Sequence, residues 1–213
     1  GAAAALALTL AGPAAAALAQ AAAGRWRFSL DHNFRRPDGS WRRLRAVDVC
    51  LLAPLQEEVL CRLLFYHLVH RRLQNRNISI WAVSTLFGLM HLSNLGSSNY
   101  STEYVIFQTA LATLVGAFYA GRLLAARSLA EPLALHALNN ALGALLPTRG
   151  PGLSFADPAV LLPLLLTGIM YGMAVSKAGL LDFSMDQQRK RRQQSKSQQK
   201  IDQNSCFSDS LLY

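Results

Sequence analysis

The chain has 213 residues, of which 52% are hydrophobic and only 15% charged, with a formal net charge of +9. Ordinary soluble domains carry about a quarter charged residues, so this composition argues against a soluble globular protein and for a one-domain, multi-pass membrane chain. The basic residues cluster between and after apolar runs, as in membrane-flanking loops, which sets nucleic-acid binding aside.

Residues Gly1 to Ala23 carry no charge, are mostly alanine and are broken by Pro13. They predict a marginal first membrane helix of a trimmed or processed chain, since a targeting segment wants a basic start. Arg25 to Arg45 follows, its arginines interleaved with Trp26, Phe28, Phe34 and Trp41, which suits a segment at the headgroup level. Pro37-Asp38-Gly39 marks a turn within it. The second predicted helix, Val47 to about His67, has about the length needed to cross a bilayer, yet contains Asp48, Glu57, Glu58 and Arg62. At roughly 2.5 to 3.5 kcal/mol per charge near the membrane centre, the last three oppose insertion by about 8 to 10 kcal/mol, against about 3 to 6 returned by Leu, Val and Phe. The charged face must therefore turn toward other helices or a watered cavity. Glu58 and Arg62, four apart, share a face and pair, whereas Glu57 points about 100° away and keeps its carboxylate free. An isolated Glu–Arg pair reads most simply as a structural ion pair; a second, unpaired intramembrane glutamate points to function.

A basic loop, His70 to Arg76, ends that helix. The third apolar run, Ile78 to Gly96, places Phe87, His91 and Asn94 along one stripe. The fourth, Glu103 to Gly121, carries the small residues Thr113, Gly116, Ala117, Ala120 and Gly121 as a packing face. The fifth helix starts at Glu131 with Pro132 in its first turn and runs to about Pro147, carrying His136, Asn139 and Asn140. Arg149 to Gly152 is a loop, and Pro158 to Ser176 is a sixth apolar segment with a kink expected at Pro163. From Asp182 the composition describes a disordered basic tail. Of the three cysteines, Cys50 and Cys61 lie about 16 Å apart along one helix, too far to bridge, and Cys206 stands alone in the tail. The expected organisation is a marginal helix with an interfacial segment over 1–46, a membrane-embedded domain over 47–176 and a tail over 177–213. The fold class is an all-α transmembrane bundle of about six helices around a polar intramembrane cavity.

If the six helices alternate, Glu57 lies about 15 Å, His91 about 8 Å and His136 about 16 Å from the same membrane face. The three then share one cavity. A lone histidine in an apolar helix is usually a packing residue, but two glutamates, two histidines, two asparagines and an arginine on three helices at one depth point to chemistry. Glu57 and His91 are placed to remove a proton from water, and His136 with Asn140 to hydrogen-bond the oxyanion of a tetrahedral intermediate.

Glu57-Glu58-x-x-x-Arg62, Phe87-x-x-x-His91 and His136-x-x-x-Asn140, in that order on successive apolar helices, resemble the three motifs of the CAAX protease and bacteriocin-processing (CPBP, or Abi) family of intramembrane proteases. The resemblance covers roughly Val47 to Pro147. It implies that Glu57 and His91 activate water, that His136 and Asn140 support the oxyanion, and that Glu58 and Arg62 hold the site. The best-known members trim the last three residues from prenylated CAAX proteins in the endoplasmic reticulum membrane. The chain departs from that branch at His91, followed by Leu92-Ser93-Asn94 rather than a nearby second histidine, and at Cys61, where the family often has Phe. These departures motivate the alternative of a catalytically inactive membrane scaffold or partner-binding protein of the same fold. A third reading, ion transport, lacks an evident internal repeat.

The family is often called metallopeptidase, and Glu57, Glu58, His91 and His136 are the candidate zinc ligands. No His-Glu-x-x-His helix exists, and His67 and His70 sit at the membrane boundary. Water activation by glutamate and histidine needs no cofactor and is preferred, with zinc as the alternative. The expected partners are membrane lipid and a protein or peptide substrate, with a prenylated one implied by the resemblance.

Overall fold

Helix is the only regular structure among the described residues of the computed structural model, which are 1–22, 31–36, 38–97, 100, 102–145 and 158–181. An isolated antiparallel bridge pairs Arg35 with Trp41. The fold is therefore all-α, as expected. The predicted basic tail from Asp182, the Arg149 to Gly152 loop, the interfacial Trp26 and Phe28, Pro37 and Cys206 lie outside the described residues.

Helix α1, Ala2–Ala22, is built mostly from alanine and leucine, the best helix formers. After the short α2, Asp31–Phe34, the chain turns at Asp38 to Ser40, where the Ser40 amide and hydroxyl donate to Asp38 Oδ1 at 2.9 and 2.7 Å. Those bonds, the hydroxyl's first, hold the exposed Asp38 carboxyl below its usual range. Phe34, assigned from sequence to the headgroup level, is instead buried, and Asn33 beside it donates to Ala144 O at 2.7 Å.

Five segments, Arg43–Val47, Asp48–Leu52, Ala53–Glu58, Val59–Phe65 and Tyr66–Leu73, join through right-handed helical junction residues into one helix, α3. It begins earlier and ends later than the charged apolar run predicts. Its second and fourth segments are π-helical. The Ala53 amide reaches back five residues to Asp48 O, and that of Tyr66 to Cys61 O. Pro54 gives a local reason for the first wide turn, because a proline ring clashes with the carbonyl four residues back and supplies no N–H.

A left-handed Gln74 (φ 51°) ends α3, and Asn75 caps α4, Arg76–Met90, by accepting from the Ile78 amide at 3.0 Å. The chain then tightens into a 3-10 turn, His91–Asn94, so the predicted uninterrupted run to Gly96 breaks at the histidine. Helix α5 is Thr102–Ala126, α6 is Ala130–Gly143 and α7 is Pro158–Lys177. Arg122 Nε contacts Glu131 Oε1 at 2.7 Å, tying α5 to α6 across a turn in which Arg127 is left-handed (φ 52°).

The long helices form a ring in which α3 neighbours α4 and α6, α1 bridges α6 and α7, and α5 touches α4, α6 and α7. The small-residue face of α5 lies close against α4. A Cβ on Gly88 of α4 would stand 2.1 Å from Thr113 Oγ1 and 2.6 Å from Thr109 O, so only glycine permits this approach. At the bundle end, Asn77 Nδ2 and Trp81 Nε1 donate to the carbonyls of Gly179 (2.8 Å) and Leu180 (2.9 Å), pinning the chain after α7 against α4. By length and composition, one helix among the described residues, Thr102–Ala126, suffices to cross a membrane; Ala2–Ala11 and Leu161–Lys177 are shorter apolar stretches. Large apolar side chains face outward along α3 (Leu51, Leu55, Val59, Leu63) and α7 (Leu162, Leu165, Ile169, Met173).

Candidate active site

The site grows from the segment of α3 between its two wide turns. Glu58 is wholly buried and Arg62 is 2% exposed, with Arg62 Nε 3.2 Å from Glu58 Oε2. This is the i,i+4 pair that the sequence predicts. The guanidinium lies 4.5 Å from the centre of the Phe87 ring and 5.9 Å from that of Tyr119. Gly116 makes room for it, since a Cβ there would meet Phe87 at 3.2 Å, Ser84 at 3.3 Å and Arg62 Nη2 at 3.4 Å.

His136 of α6 enters between the two glutamates. Its Nδ1 is 2.8 Å from Glu58 Oε1 and its Nε2 is 3.4 Å from Glu57 Oε2. Glu57 is therefore not the free carboxylate that a 100° helical step implies. Imidazole nitrogens diverge, so one ring serves two neighbouring carboxylates that do not themselves share a direction. The 2.8 Å contact is a formed hydrogen bond, in which Nδ1–H donates to Glu58. The 3.4 Å contact is longer than a formed bond, and the Glu57 side chain is 30% exposed. One carboxylate is thus locked and its neighbour open.

His91 meets this cluster through the Phe87 ring. Its Nδ1 lies 3.0 Å from Phe87 O, a carbonyl that accepts, so Nε2 carries the lone pair of the neutral ring. Phe87 stands edge-on to both histidines, with ring centroids 5.1 Å from His91 and 5.9 Å from His136. Asn140 Nδ2 donates to Val49 O at 3.0 Å. That carbonyl lies in the first wide turn: the Ala53 amide goes to Asp48 O, and the next residue, Pro54, has no amide hydrogen to offer. Asn140 supplies the missing donor and fastens α6 to α3.

The structure thus brings Glu57, Glu58, Arg62, Phe87 and His136 together, and leaves His91 in contact with Phe87 and Asn140 with the α3 backbone. Tyr119 is a neighbour that sequence reasoning missed. It is fully buried, its ring 5.6 Å from that of His136, and its only sequence signal is a place one turn beyond Gly116. Among the described residues, no group of three or more His, Cys, Asp or Glu side chains is arranged to share a metal ion. A cleft of about 520 Å³ opens elsewhere, where Arg76, Arg122 and Lys177 meet apolar side chains of α1, α5 and α7; none of the motif residues lines it.

Comparison with known families adds one finding. The family model described as Type II CAAX prenyl endopeptidase Rce1-like matches residues 39–142, a span that contains all three motifs. No curated protein and no solved structure matches the chain.

Proposed function

We propose, from the premise that residues 39–142 belong to the Rce1-like family of CAAX proteases, that the chain is a multi-pass membrane endopeptidase that trims the C-terminal residues of prenylated CAAX proteins. The endoplasmic reticulum membrane is the corresponding location. The observation that carries the reading is the asymmetry of the paired glutamates: Glu58 is consumed by Arg62 and His136, while Glu57 is partly open and loosely held. The outward apolar side chains of α3 and α7, with the span Thr102–Ala126, support embedding in lipid.

In the proposed reaction, Glu57 and the free Nε2 of His91 hold a water molecule. Its oxygen attacks the scissile carbonyl carbon while Glu57 takes the proton, and the carbonyl electron pair moves onto oxygen. His136, oriented by its bond to Glu58, in its doubly protonated form turns Nε2–H from the loose Glu57 contact to the oxyanion. The second amide hydrogen of Asn140, not the one given to Val49, supports the same charge. The intermediate then collapses, the C–N bond breaks, and the proton on Glu57 passes to the departing nitrogen.

The test is cleavage of a panel of prenylated and unprenylated C-terminal peptides by the purified chain, with and without chelator, beside a folded Glu57→Ala variant. The expected result is cleavage of prenylated peptides that chelator leaves intact and Glu57→Ala abolishes. Continued cleavage by Glu57→Ala removes the assigned base. An intact chain that binds the peptides and cleaves none favours the inactive scaffold, a reading motivated by Cys61 and by the absence of a second histidine after His91.

A further inference from the structure

Behind the glutamates lies a second polar compartment that the proposed hydrolysis does not use. Beyond the Nε contact with Glu58, neither Nη1 nor Nη2 of the buried Arg62 has a hydrogen-bond partner. Nη2 lies over the bare backbone of Gly116, and Tyr119, three residues on, shares that face of α5. The Tyr119 hydroxyl is buried without a hydrogen-bond partner, and so is the hydroxyl of Tyr171 on α7. The Tyr171 hydroxyl neighbours Tyr119 and Thr9 of α1 without a formed hydrogen bond to either. Glu58 Oε2 is likewise buried and, although 3.2 Å from Arg62 Nε, is not aligned for a hydrogen bond. Five buried polar atoms, one set of them on a cation, therefore gather from α3, α5 and α7 in an apolar interior, where unpaired groups are costly. Such clusters are where proteins keep internal water, each molecule making about three hydrogen bonds.

We propose that Glu58, Arg62, Tyr119 and Tyr171 enclose an internal hydration site, and that Tyr119 acts through it as a positioning residue. Water between the Tyr119 hydroxyl and the Arg62 guanidinium restrains Arg62. Arg62 in turn holds Glu58, and Glu58 fixes the His136 ring through the 2.8 Å bond to Nδ1. The hydroxyl thus reaches the site without touching substrate. The simplest contrary account is that both tyrosines merely pack. Phenylalanine keeps the ring and its contact with His136 and removes only the oxygen, so it separates the two accounts.

The experiment uses the full chain in lipid nanodiscs, with 15N-labelled histidine side chains and the His136 signals assigned by their loss in His136→Gln. Tyr119→Phe is expected to shift the His136 ring-nitrogen signals while leaving the melting temperature unchanged. Because this inference rests on the proposed function for its kinetic part, it is also expected to lower kcat roughly tenfold, through a misplaced ring, at unchanged KM. Unmoved His136 signals in the folded variant overturn the proposal, whatever the activity. If the wild-type chain cleaves no peptide, the protease reading falls and the nitrogen signals still decide this one. If Tyr119→Phe does not fold, Tyr171→Phe is read in the same way, and unmoved signals there overturn it equally.

Discussion

Polar side chains behave in opposite ways in two parts of this bundle. On α1, α5 and α7, threonine hydroxyls turn back on their own helix: Thr9 to Ala5 O (3.0 Å), Thr109 to Val105 O (2.9 Å), Thr113 to Thr109 O (3.0 Å) and Thr167 to Pro163 O (2.7 Å). Between α3 and α6, polar groups meet across helices, His136 on Glu58 and Asn140 on Val49 O. A self-satisfied hydroxyl asks nothing of its neighbours, whereas a bond between helices makes their relative placement a condition of satisfaction. Burial alone therefore does not mark a site.

The contrast is most exposed at Arg62. Arg62→Leu leaves Glu58 buried beside a single imidazole and is expected to cost about 3 to 5 kcal/mol, read by denaturant unfolding in micelles. A cost no larger than that of a threonine change would erase the distinction. Asn140→Leu strands the Val49 carbonyl and is expected to cost about 1 to 3 kcal/mol in the same assay. Gly88→Val asks whether helix spacing alone supports the cross-helix bonds. Its side chain collides with Thr113 and with the Thr109 backbone oxygen, for about 1 to 3 kcal/mol of strain, and is expected to lower peptide cleavage along with stability. On the other side of the comparison, Thr167→Val is expected to stay within about 0.5 kcal/mol, because the Pro163 carbonyl keeps its helical amide donor. The smallest effect lies outside the bundle. Asp38 titrates below its usual range, so the turn gains stability at pH above that range and loses it as pH falls through the lowered value. Ser40→Ala is expected to raise the Asp38 midpoint toward its ordinary 3.8, followed by carboxyl 13C NMR.

The apolar runs made the helices from α4 to α7 legible, because each is bounded by polar or glycine-containing loops that hydropathy registers. The spacing of Glu58 and Arg62 likewise announced their contact. What stayed hidden depends on geometry that a linear pattern does not encode. The wide turns of α3 leave no periodic trace, and nothing in a linear pattern marks Pro54 as the reason a carbonyl needs Asn140. The Phe87-x-x-x-His91 spacing implied continuous helix, yet the chain tightens at the histidine. Glu57 was expected to stand free because a helical wheel compares directions on one helix and says nothing of a ring arriving from another. Tyr119 and Tyr171 look like any aromatics in greasy segments until their oxygens are found together.

Two five-residue hydrogen bonds in α3, one on each side of the glutamates, mean that this rod stores spare chain length. Shortening it by one residue within 63–65 would let the backbone relax into ordinary α-helical register while leaving Tyr66–Leu73 on their present faces, because a wide turn is one residue absorbed between two stretches of α-helix. The Glu58–Arg62 pair lies before that cut at ordinary four-residue spacing, so removing the spare residue leaves the ionic cluster aligned.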